Sequence, residues 1–244
     1  MPNIYSYKFT VKQPVTYSLV KTSSPSPSSY YITDIIPSIV LDQQKLGSCV
    51  ANAVYACFYI VSKGQISLSR LQLYMCNRAV DGDSLTVDSG ADITNCMKTI
   101  LSYGISAETL WPYIITNFAK LAPSASFTNT YKIPNFKYTT INQDIETITS
   151  YISTNNPVIC GILVYTSFDG TIANKYGVIP MPNMQSEQIL GGHCILLVGY
   201  DTSKKVFKFQ NSWGKSWGDN GYGYIPFNYI ISNTLTSELT IINF

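Results

Sequence analysis

Residues 49 to 62, Cys49-Val50-Ala51-Asn52-Ala53-Val54-Tyr55-Ala56-Cys57-Phe58-Tyr59-Ile60-Val61-Ser62, constrain the fold more than any other stretch of the chain. Small and large apolar side chains follow one another through this run, as in a buried central helix, and a helix apolar on every side has to be covered on every side. The rest of the chain must therefore wrap it. Just ahead, Gln43-Gln44-Lys45-Leu46-Gly47-Ser48 supplies a small-residue turn, so the helix is expected to begin at Cys49. A thiol placed there meets unpaired backbone N–H groups and the positive end of the helix dipole, and both favour the thiolate.

The pattern downstream divides the chain. Further helices are expected at 68–77 and 93–102, so the first half is mainly helical. From Pro157 the pattern turns to short strands, expected at 158–165, 193–200, 206–210 and 221–225, punctuated by Gly, Pro, Asp and Asn. The first thirty or so residues stand apart, because Ser23-Ser24-Pro25-Ser26-Pro27-Ser28-Ser29 is a low-complexity linker that cannot build a core. Residues 4–17 alternate apolar and polar side chains and could add as an extended segment to a groove or a sheet edge. The expected division is an arm, 1–30, and a single domain, 31–244.

Only 12% of residues are charged and the formal net charge is +2, so no electrostatic footprint for nucleic acid or an anionic membrane is present. No apolar run reaches the roughly 20 residues that span a bilayer, and the N-terminus lacks the pattern of a signal peptide. Cys57, Cys76, Cys96, Cys160 and Cys194 lie in apolar or helical surroundings and read as free thiols acting as small hydrophobes. No Asn-x-Ser/Thr site occurs, so the chain reads as soluble and unexported.

A nucleophilic Cys49 needs a base and a group to orient that base. The sole histidine, His193, follows Gly191-Gly192 and precedes Cys194, and Asn211 opens Asn211-Ser212-Trp213-Gly214-Lys215-Ser216-Trp217-Gly218. With Gln43 six positions before Cys49, these blocks resemble the papain-like cysteine peptidases in order and local context, from about residue 36 to the C-terminus. Ser69-Arg70-Leu71, Asp88-Ser89-Gly90-Ala91, Leu110-Trp111-Pro112-Tyr113 and Pro180-Met181-Pro182 are similar to the compact branch of that family found in bacteria and large DNA viruses. The chain departs from the family at Val50, where papain has tryptophan, and at Leu46, where secreted members carry a bridged cysteine.

The resemblance implies an α+β, two-lobed fold: a helical N-terminal lobe, an antiparallel β-barrel-like C-terminal lobe, and a cleft between them in which Cys49 faces His193. It implies a cysteine endopeptidase that works through a thiolate/imidazolium pair and an acyl-enzyme, with Asn211 holding the imidazole and Trp213 shielding that hydrogen bond. The oxyanion falls to the Cys49 N–H and the Gln43 amide; Gln44 is a near twin, and the position six before the nucleophile favours Gln43. Ser89 and Gly90 are expected to pair with the substrate backbone, while Ala91, Gly161, Gly192 and Cys194 border a roomy apolar pocket for the second residue before the scissile bond, floored near 235–237. Packing alone would also account for a small Ala91 or Gly161, and alternation could turn Cys194 to the barrel side instead.

No cofactor or metal enters this chemistry, and the expected partner is a peptide or protein substrate, not nucleic acid or a membrane. The protein is expected to be a monomer in the cytoplasm or a virion. The arm is the candidate restraint, lying through the cleft and cut between about residues 22 and 31. An exopeptidase or partner-specific processing enzyme built on the same site is the alternative, as is a non-catalytic binding or virion protein.

Overall fold

The computed structural model describes residues 3–10, 26–32, 39–131 and 133–244. The central helix, α1, spans Cys49–Val61 and buries each of its first ten residues. It is wrapped as its composition demands, by α2 (Arg70–Val80) and α3 (Ile93–Tyr103) on one side and by the long strand of residues Ile189–Asp201 on the other. The second helix starts two residues later than the pattern predicts because Ser69 caps it, its hydroxyl accepting from the Gln72 N–H at 3.3 Å. Asp92 caps α3 in the same way at 2.9 Å, and Gly104, at φ 68°, ends it. Four further helices, α4 (Ser124–Thr128), α5 (Ile145–Ser153), α6 (Thr171–Tyr176) and α7 (Phe227–Ile230), have no counterpart in the sequence reading.

Arg78 on α2 organises the loop that follows. It is fully buried, and its guanidinium donates at 2.8 Å to the carbonyls of Leu85, Val87 and Phe118 while lying over the Tyr74 ring. A planar donor fork that satisfies three loop carbonyls at once gives an irregular segment one defined path. That segment carries Asp83 through Ala91 along the cleft.

The strands are β1 (Ser29–Tyr31), β2 (Lys137–Thr140), β3 (Val158–Tyr165), β4 (Ile189–Asp201), β5 (Val206–Gln210), β6 (Tyr222–Pro226) and β7 (Thr236–Asn243). They pair antiparallel in the order β2-β7-β3-β4-β5-β6, with β1 on the C-terminal part of β4. The sheet curves through register shifts in the β3/β4, β3/β7 and β4/β5 pairs but stays open, where the resemblance implies a barrel-like lobe. The expected boundary after residue 30 falls inside β1, so the arm's root is a strand of the sheet.

Side-chain alternation along β4 feeds two cores. Cys194, Leu196 and Val198 pack into the cluster around α1, while Ile195 and Leu197 pack into a second cluster behind the sheet with Phe207 and Phe209. Cys194 therefore turns toward α1. All six cysteines are buried and free, as expected for the five outside the nucleophile position. No helix among the described residues is long and apolar enough to cross a membrane.

Candidate active site

Cys49 is the first residue of α1 and is completely buried. The turn before it is held by loop groups. The Gly47 N–H donates to both carboxylate oxygens of Asp88, at 3.0 and 2.9 Å, and Asp88 also accepts from the Tyr74 hydroxyl. Tyr74 in turn accepts from the Gly90 N–H at 3.1 Å, so one buried phenol ties α2 to the loop that holds the nucleophile's turn. Gln43 is buried while Gln44 is exposed, which separates the twins. The Gln43 backbone N–H donates to the Ser212 carbonyl at 2.8 Å, and its Oε1 accepts from the Ser212 hydroxyl at 2.6 Å. This fixes the amide so that Nε2 donates into the cleft, to the Leu46 carbonyl at 3.0 Å and to that of Ile4 at 3.4 Å.

His193 lies on β4 opposite Ile162, and Asn211 just past the end of β5. The Asn211 Oδ1 accepts from the Ser212 N–H and meets the His193 Nε2, each at 2.8 Å. An oxygen there requires the imidazole to carry its proton on Nε2 when neutral, which leaves the Nδ1 lone pair as the base. Nδ1 is buried and has no hydrogen-bond partner among the described residues. Trp213 stacks on the ring at 4.8 Å, and Phe168 and Tyr5 meet it edge-on at 6.3 and 6.1 Å.

Burial dominates the titration of both groups. It pushes the Cys49 thiol above its ordinary pKa, despite opposing hydrogen bonds from the Cys194 N–H and from Ser6. It pulls His193 down to about 4, with the Asn211 hydrogen bond opposing. The covered site thus favours a neutral thiol and a neutral imidazole, not the thiolate/imidazolium pair expected from the resemblance.

The cover is the arm. Residues 3–10 lie along the cleft and form a parallel bridge between Tyr7 and Ala91, in which the Lys8 N–H donates to the Ala91 carbonyl at 3.1 Å and the Ala91 N–H to the Ser6 carbonyl at 3.3 Å. On the opposite wall the Tyr7 N–H donates to the Gly192 carbonyl at 2.8 Å. The Ser6 hydroxyl sits 3.9 Å from Cys49 Sγ. Polar anchors pin both ends: Asn3 Nδ2 donates to Asp169 at 2.6 Å, and the Lys8 ammonium to Asp81 and Asp83 at 2.6 and 2.5 Å. Residues 11–17 of the alternating stretch, and 22–25 of the expected cleavage region, lie outside the described residues.

The Tyr7 side chain fills the pocket. A Cβ at Gly161 would collide with its ring and one at Gly192 with its backbone carbonyl, so both positions need glycine for close approach rather than for packing alone. The phenol reaches the Ser237 hydroxyl, a polar group in the 235–237 segment, at 2.8 Å. Ala91 and Cys194 are both buried in the core cluster that holds Tyr7. Ser89 and Gly90 do not pair with the arm: the Ser89 hydroxyl donates to Asp83 at 2.7 Å, and Gly90 passes directly against the Ser6 carbonyl. The bridge sits one step later, at Ala91, because the arm runs parallel to this loop. Sequence reasoning missed Asp81, Asp83 and Asp169, for which no pattern marks a partner, and used Asp88 only as part of a resemblance.

Residues 33–238 match the family model for papain family cysteine proteases. A peptidase C1-like protein of Acanthamoeba polyphaga mimivirus is 33% identical over 83% of this chain and 68% of its own length. A viral cathepsin of Spodoptera litura multicapsid nucleopolyhedrovirus is 29% identical over 75% of this chain; the chain spans about half (52%) of that relative. Among solved structures, xylellain, a cysteine protease from Xylella fastidiosa, superposes with a TM-score of 0.86 at 28% identity, covering 98% of this chain and 95% of its own. Procathepsin L 3 of Tenebrio molitor larval midgut, at 21% identity and TM-score 0.71 over 95% and 75% of the two chains, shares the fold.

Proposed function

The chain belongs to the papain family of cysteine proteases and is a cysteine-type peptidase, and from that premise we propose that it is an endopeptidase selecting an aromatic residue, tyrosine above all, at the second position before the scissile bond. In this reading Cys49 Sγ attacks the peptide carbonyl, and the resulting oxyanion accepts from the Cys49 N–H and Gln43 Nε2. His193, its Nε2–H engaged by Asn211, takes the thiol proton on Nδ1 and passes it to the leaving amine. A thioester remains. Water attacks it, with Nδ1 again as base, and the acid product leaves with the thiol restored. The observation that carries the assignment is the fixed imidazole: Asn211 holds Nε2 at 2.8 Å and leaves Nδ1 as the free base.

Direction of the chain supports an inhibitory arm. The leaving amine must be within reach of His193, so the leaving half of a substrate lies toward His193 and Trp213 and the acyl half toward Ala91. The arm runs from Tyr5, against Trp213 at 5.6 Å, to Lys8 beyond Ala91, which is opposite to a substrate. A segment lying in that direction presents its peptide bonds reversed relative to a substrate, which supports filling of the cleft without cleavage, and the arm's Ser6 hydroxyl lies 3.9 Å from the sulfur. Its passage on both sides of Cys49 supports an endopeptidase over an enzyme that accepts only chain ends. Tyr7, seated against Ser237, supports the aromatic preference. Six buried, free cysteines support a reducing compartment, cytoplasm or virion.

The test is intact mass after exposure to an epoxysuccinyl peptide that alkylates papain-type thiols, using the full chain, a form lacking residues 1–10, and Cys49→Ala. The shortened form is expected to label at once, the full chain slowly and Cys49→Ala not at all. Equal rates for the first two would remove the arm from the reading. A folded, reduced, shortened form that fails to label would remove the peptidase.

A further inference from the structure

The Lys8 anchor occupies a built site. Asp81 and Asp83 flank the α2 end of the loop beyond Ala91, and their ion pairs among the described residues are all with Lys8. Each carboxylate is oriented by a neutral neighbour: Asn95 Nδ2 donates to Asp81 Oδ1 at 2.6 Å, leaving Oδ2 to the ammonium, and the Ser89 hydroxyl donates to Asp83 Oδ2 at 2.7 Å. Arg78, the nearby cation, has its guanidinium committed to three carbonyls. Without Lys8, two oriented carboxylates face the cleft with no cation bonded to them. Burial works against the Lys8 charge, yet the two carboxylates outweigh it and hold its pKa above the ordinary value.

Lys8 follows Tyr7, and Tyr7 fills the pocket proposed for the second residue before the scissile bond. Because a substrate runs the other way, the side chain at Lys8's place is that of the residue preceding the pocket residue. We propose that Asp81 and Asp83 form an acidic subsite for a lysine or arginine at the third position before the scissile bond, so that the preferred substrate reads basic, then aromatic, then the cleaved residue. This rests on the endopeptidase reading for its direction. The carboxylates thus have two competing occupants, the arm's own lysine in one chain direction and the substrate's basic residue in the other.

The experiment uses the full chain carrying Tyr7→Ala and Lys8→Ala, which removes the arm's two side-chain anchors near the pocket, with Cys49→Ala added so that binding is read without turnover. Arg-Tyr-Ala, Gln-Tyr-Ala and Glu-Tyr-Ala amides are titrated, with circular dichroism as the check on folding. A charge-assisted contact with two carboxylates predicts that Arg-Tyr-Ala binds about tenfold tighter than Gln-Tyr-Ala, and Glu-Tyr-Ala weaker still. Adding Asp81→Asn and Asp83→Asn is expected to level the three. Equal binding of the three, no binding of any by folded protein, or an arginine preference that survives both asparagines overturns the subsite. The Cys49 form, given the same peptides as fluorogenic substrates, separates the two readings: ordered binding without cleavage keeps the subsite and sinks the endopeptidase.

Discussion

The two walls of the cleft hold their reactive groups by different means. On the helical wall Cys49 is positioned through its turn: Asp88 accepts from the Gly47 N–H and from the Tyr74 hydroxyl, and Gln43 accepts from the Ser212 hydroxyl. On the sheet wall His193 is held by one hydrogen bond and an aromatic enclosure of Trp213, Phe168 and Tyr5. A nucleophile must meet a carbonyl beside polar donors, so its wall stays polar. A base must keep one rotamer and one tautomer, which packing around a single amide secures. The lesson is that polar substitutions should act on chemistry and loop order on one wall, and that titration should report the other.

Removing the sulfur breaks the comparison outright: Cys49→Ala is expected to lower kcat by at least about 10⁴-fold, measured on the form lacking residues 1–10. Gln43→Ala sharpens the polar wall, with an expected loss on the order of 10²–10³ in kcat and little change in KM, because in the proposed mechanism its amide donates to charge present only in the transition state. A KM effect alone would exclude Gln43 from the oxyanion site. The aromatic wall is read by acid. His193 has a folded pKa of about 4 against an ordinary 6.5, so the unfolded chain binds the extra proton first. Stability from keeping it neutral is complete above about 6.5 and is lost as pH falls toward 4, by up to about 3 kcal/mol. Thermal unfolding across that window should show the slope in the full chain and a flatter line in His193→Gln. The smallest effect is expected for Asp88→Asn, which weakens the grip on the Gly47 N–H and should cost about 1 kcal/mol in urea unfolding. An unchanged midpoint would mean that the Tyr74 network holds the turn without that charge.

Much of this was legible in residues with local signals. The apolar run after Ser48 forced a buried helix, and strands 158–165 and 206–210 came out with the observed bounds because β-branched and aromatic residues sit between clear breakers. The helix Ile145–Ser153 was missed although Asp144 caps it, since its polar residues broke up the apolar period. Strand β7 was missed because its pairing with β2 and β3 is entirely long-range. At the site, Gln43, Cys49, His193 and Asn211 carry spacing and context, so they could be read together. Asp81 and Asp83 carry none; what identifies them is Lys8, 73 and 75 positions away in sequence. The alternation that made residues 4–17 look extended did foreshadow the Tyr7 bridge, but not its direction, which no one-dimensional pattern encodes.

Strand β1 ties the root of the arm to β4, with Ser29 opposite Asp201 and Tyr31 opposite Gly199. An arm fixed at its root behaves as a ligand at an effective concentration on the order of millimolar, whatever the amount of protein in the tube. On the proposed inhibitory reading, dilution would not open such a cleft, and a competing peptide would have to exceed that local concentration to gain access. A single cut between the arm and β1 would abolish the advantage at once, turning an intramolecular contact into a bimolecular one whose occupancy falls with every dilution.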